Sequence, residues 1–86
     1  MEKYINIDFD RFTTAFLAKF HELSAQDDRL FDKYEKAEAE GNTAKMQKLD
    51  RRMDMTCSKM DGMHEVLAML GFVVKWQEDH FVIVYR

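Results

Sequence analysis

Cys57, Asp61 and His64 stand at i, i+4 and i+7, so on a helix they share one face. Thiolate, carboxylate and imidazole are all zinc ligands, and His21 could add a fourth if two helices fold back on each other. Metal binding is the chemistry such a set could do. It lacks a Cys-x-x-Cys or His-x-x-x-His pair, however, and unpaired ligand types at helical spacing are weak grounds for a metal. The better reading is a small thiol beside a surface acid and a boundary histidine. A di-iron bundle fails too, because Asp61-x-x-His64 is a single motif and that site needs a pair plus further glutamates. Cys57 and His64 as nucleophile and base would sit two turns apart, about 10 Å along the axis, out of hydrogen-bond reach. The chain has no Gly-rich phosphate loop, Gly-x-Ser-x-Gly elbow or His-Glu-x-x-His, the arrangements that carry common catalytic chemistries. No enzyme activity, metal or cofactor is expected.

Methionine offers a second candidate chemistry. Met53-x-Met55 and Met60-x-x-Met63 could hold a soft metal, but copper sites need more convergent ligands. Met46, Met53, Met60 and Met63 also recur at the spacing of a buried helical seam, where methionine fills irregular space.

That seam defines the elements. Proline is absent and glycine occurs only at 41, 62 and 71. Asp8 can cap a first helix of about residues 9–40, with Ile7 and Phe12 as a hydrophobic staple. Gly41 suits a left-handed helix end, Asn42 or Thr43 can cap a second helix of about 43–70, and Gly71 ends it. Phe16, Phe20, Leu23, Asp27, Leu30, Tyr34 and Ala37 follow spacings of 4 and 3, as do Met46, Leu49, Met53, Thr56, Met60, Met63 and Leu67. Folded at Gly41, the two sets pair, from Phe16 with Leu67 to Ala37 with Met46. The single polar seam residues, Asp27 and Thr56, then fall opposite each other as a layer that fixes register. This predicts an antiparallel, coiled-coil-like helical hairpin. Residues 22–40 hold seven acids and three bases, and residues 44–60 hold five bases and two acids, so an acidic helix is expected to face a basic one.

After Gly71 the period changes to two. Phe72-Val73-Val74-Lys75-Trp76 and Phe81-Val82-Ile83-Val84-Tyr85 flank a short polar link, which reads as a β-hairpin over 72–85. Pairing Trp76 with Phe81 sets Val74 opposite Ile83 and Phe72 opposite Tyr85. Those six then form one apolar face, which must pack on the helices because a lone hairpin is marginal in water. Tyr4-Ile5-Asn6-Ile7 alternates as well and could add a short third strand. The fold class expected is α+β, in a single domain over 1–86.

A helix of 28 residues spans about 42 Å, and a five-residue strand about 17 Å. The sheet can therefore cover one end of the hairpin. Leu17, Phe31, Met55 and Met69 remain off the seam, and Val73, Val82 and Val84 lie on the outer face of the sheet. Spare apolar positions and open strand edges favour association. These seven residues are the expected interface, with a homodimer or another protein as partner.

Composition bounds the rest. At 86 residues with net charge −3, one domain is all the length allows and the burial margin is thin. The longest apolar run, Val66 to Val74, is interrupted by Gly71 and falls short of a membrane span. The start lacks the pattern of a signal peptide, and one cysteine makes no internal disulfide, so a cytoplasmic location is expected. Mild acidity argues against nucleic acid. The basic residues Lys45, Lys48, Arg51, Arg52 and Lys59 are read as the flank facing the acidic helix.

The function expected is that of a small accessory or regulatory protein acting through protein contacts, and a bacterial or mobile-element regulator is one that fits. The alternative is a DNA-binding regulator. Residues 63–70 followed by the 72–85 hairpin resemble the recognition helix and wing of a winged-helix domain, provided the helix breaks at Asp61-Gly62. Against it, 61–70 contains no Lys or Arg and the turn reads Glu78-Asp79, the wrong sign for phosphate.

Overall fold

The computed structural model describes residues 8–86. The expected third strand over residues 4–7, and the Ile7 half of the staple, lie outside them. Two helices, α1 (Phe9–Ala39) and α2 (Thr43–Met69), are followed by two strands, β1 (Phe72–Gln77) and β2 (His80–Tyr85). The α+β reading holds.

The local chemistry explains each boundary. The Asp8 carboxylate accepts from the Arg11 backbone amide at 3.1 Å and starts α1. Gly41 takes φ +67°, which a Cβ disfavours. The Gly41 amide then donates to the Glu38 carbonyl and the Asn42 amide to the Ala37 carbonyl, at 3.0 and 2.9 Å. This double closure is the Schellman motif, and it satisfies carbonyls the helix leaves free. The Asn42 side chain accepts from the Lys45 amide and caps α2. Gly71, at φ +86°, turns the chain from α2 into β1. Gly62 lies inside α2, which runs through it without a break. The interruption on which the winged-helix alternative depends does not occur.

The strands pair antiparallel, with Phe72 opposite Tyr85, Val74 opposite Ile83 and Trp76 opposite Phe81, the register expected. The turn is tighter than the four-residue polar link of the sequence reading. Gln77 and His80 belong to the strands, and only Glu78 and Asp79 turn, both at positive φ. Two left-handed central residues are the geometry whose twist matches that of the paired strands.

The helices pack along the expected seam, but the core has two parts. Phe16, Phe20 and Leu67 are buried beneath Phe72, Val74, Phe81 and Ile83 of the sheet, with Met60 and Met63 alongside. Leu30, Ala37 and Leu49 form a second cluster with Tyr34, Met46 and Met53. Between them lies the polar layer, where one detail differs from expectation. Thr56 is the one buried polar residue among those described, and its hydroxyl donates to the Arg52 carbonyl one turn back at 3.0 Å. A threonine satisfied by its own helix has no need of a partner across the seam, and Asp27 meets Cys57 instead.

Candidate functional site

The thiol constellation comes apart in three dimensions. Cys57 is exposed, and its Sγ donates to Asp27 Oδ1 at 4.0 Å. Loss of hydration on the protein side, and then the carboxylates of Asp27, Asp61 and Asp54, push the thiol above its ordinary value. A protonated thiol among carboxylates is a poor nucleophile. His64 packs edge-on against the Phe20 ring at 5.1 Å. His21 faces the sheet: its Nε2 accepts from the Phe81 amide at 3.2 Å, and its ring lies 4.9 Å from that of Phe81. The bond gives a partner to a strand amide that the β-ladder leaves over. Among the described residues no three His, Cys, Asp or Glu side chains converge as metal ligands would.

The seven expected interface residues divide between the two halves of the molecule. Leu17, Val82 and Val84 line one groove of about 390 Å³ with Phe9, Phe72, His80 and Tyr85, and the lining contains no Lys, Arg, Asp or Glu. Met69, 83 % exposed, lies at the same end of the hairpin, and Val73 pairs with Val84 on the outer sheet face. Phe31 and Met55 do not join them. Both are exposed, but they sit on the helical hairpin beyond the sheet, and Met55 is a neighbour of Arg52 and Lys59. The sequence reading missed Phe9 and Leu70, which complete the apolar end in a second small recess with Phe12 and Phe72. Their exposure follows from their place at the helix ends, where no seam partner lies opposite.

Charge is arranged differently from expectation. An acidic helix facing a basic one should give interhelical ion pairs, yet the one ion pair among the described residues is Lys19–Glu22, within α1. The charges are sorted by flank as well as by helix. Lys33 and Lys36 of α1 line a single groove with Lys45, Lys48, Arg51 and Arg52 of α2. By helical spacing Asp28, Asp32 and Glu35 of α1, and Asp50, Asp54 and Asp61 of α2, fall on the other flank, and two of these act on Cys57. The signal was present in the sequence. Lys33, Lys45, Arg52 and Lys59 each precede a seam residue by one position (Tyr34, Met46, Met53, Met60), and in an antiparallel pair such positions meet on the same side. Counting charge per helix concealed it.

Neither helix is long and apolar enough to cross a membrane, among the described residues. No protein-family model, no curated protein and no solved structure matches this chain.

Proposed function

We propose that this chain is a small non-enzymatic interaction protein that associates with a second copy of itself through its sheet end. One observation carries the reading: the groove between α1 and β2, lined by Leu17, Val82, Val84, Phe9, Phe72 and Tyr85, has no Lys, Arg, Asp or Glu in its wall, and His80 is its one titratable imidazole. In a chain that is 34% charged, a recess without Lys, Arg, Asp or Glu and with exposed Phe9 and Tyr85 in its wall is the kind of surface that interfaces use. A two-fold pairing, in which the same patch serves both copies, is the commonest way to cover one.

Light scattering coupled to size exclusion tests this. At tens of micromolar the expected mass is twice the 10.3 kDa of the chain. Val84→Lys places a charge in the groove wall and should return the protein to monomer with its helical signal intact. A strict monomer at those concentrations, or a folded Val84→Lys variant that dimerises as well as the parent, overturns the proposal.

A further inference from the structure

We infer that the basic flank near the helical turn is a docking surface for the phosphate backbone of a nucleic acid. Lys33, Lys36, Lys45, Lys48, Arg51 and Arg52 line one open groove of about 720 Å³. No carboxylate of the described residues lies within 4.0 Å of any of them. Six like charges held together with no ion-pair partner among the described residues repel one another, and anions from outside relieve that repulsion. The arrangement is a line rather than a point. Along α2, Lys45, Lys48, Arg52 and Lys59 succeed one another on one face over about 21 Å. A polymer with regularly repeated charge satisfies such a line along its length, releasing its condensed counterions as it binds.

An acidic protein segment fits the groove less well. Leu49, the one apolar residue in the groove lining, is buried, so the groove offers no apolar anchor, and exposed Met55 lies only at its margin, beside Arg52 and Lys59. Four of the six cations are lysine, the residue that protein interfaces deplete. The lining also has no aromatic, Asn or Gln side chain, so contact is with backbone rather than with bases. The acidic opposite flank and the net charge of −3 confine contact to this one side. The surface lies about 27 Å along the hairpin from the sheet end and does not depend on self-association.

The test is fluorescence anisotropy with a labelled, random-sequence single strand of about 30 nucleotides, titrated at several salt concentrations. Binding should weaken with salt, with a slope of log K on log salt of about −3 to −4 if roughly four to six phosphates are neutralised. The variant Lys45→Glu/Lys48→Glu/Arg52→Glu should lose binding while keeping its far-ultraviolet circular dichroism. Lys33→Gln/Lys36→Gln should reduce the slope by about 1.4, and it carries the test should the triple variant lose helix. Lys75→Glu, on the sheet, should bind as the parent does. The proposal is overturned if the parent shows no salt-sensitive binding, or if the folded triple variant binds unchanged. It is overturned equally if poly-glutamate of matched charge competes as well as DNA, which would make an acidic protein the occupant.

Discussion

At the scale of single residues, Cys57 shows how little a residue type says without its surroundings. In sequence it is a possible ligand or nucleophile. In the fold partial loss of hydration, and then the carboxylates of Asp27, Asp61 and Asp54, raise its proton affinity. Fewer thiolates at a given pH mean slower attack, because the thiolate is the reactive form. Alkylation by iodoacetamide at neutral pH should therefore be slower than that of a free thiol. Asp27→Asn should move the midpoint of the pH–rate profile downward and speed the reaction. A parent rate equal to that of free cysteine, or no response to Asp27→Asn, would remove the carboxylates from the explanation. His21 teaches the same lesson. Its bond to the Phe81 amide spans 60 positions, and no local spacing announces which strand will lie above a given helical turn.

At the scale of elements, legibility was high because the signals are local. Asp8, Gly41, Asn42 and Gly71 each act on the backbone within a few residues, and the alternation after Gly71 was enough to align the strands. Gly62 was the ambiguous position. Its backbone is helical, and a Cβ built there meets nothing within 4 Å. Neither a special φ nor a close approach requires glycine. Gly62→Ala should therefore raise stability by about 0.5–1 kcal/mol, through reduced freedom of the unfolded chain and better helix propensity. Urea denaturation checks it, and a loss of stability would show that the small residue serves a contact outside this chain.

At the scale of the whole molecule, shape and charge are the new information. The radius of gyration is 17.0 Å, against about 12 Å for a compact chain of this length, because the sheet thickens one end of a long helical hairpin and leaves the other bare. Sorting like charges onto one flank has a thermodynamic consequence. If the helices were held by complementary ion pairs, salt would weaken them. Repulsion along a flank is instead relieved by screening, whose range is about 10 Å at 0.1 M salt. The melting temperature in sodium chloride should therefore rise between low and moderate ionic strength. A fall would show that attraction between the flanks outweighs repulsion within them.

The elements, their ends, the strand register and the helical seam were all legible in the order of residues, because caps, turn residues and apolar periodicity act over a few residues or through a single repeated spacing. That order also held the flank pattern, which emerges only when both helices are aligned. What the side chains face came from the tertiary packing: Asp27 with Cys57, His21 with the Phe81 amide, and Leu17, Val82 and Val84 lining one groove while Phe31 and Met55 stand apart. Those contacts depend on where one element's height falls against another's, a long-range quantity set by the packing of the whole chain.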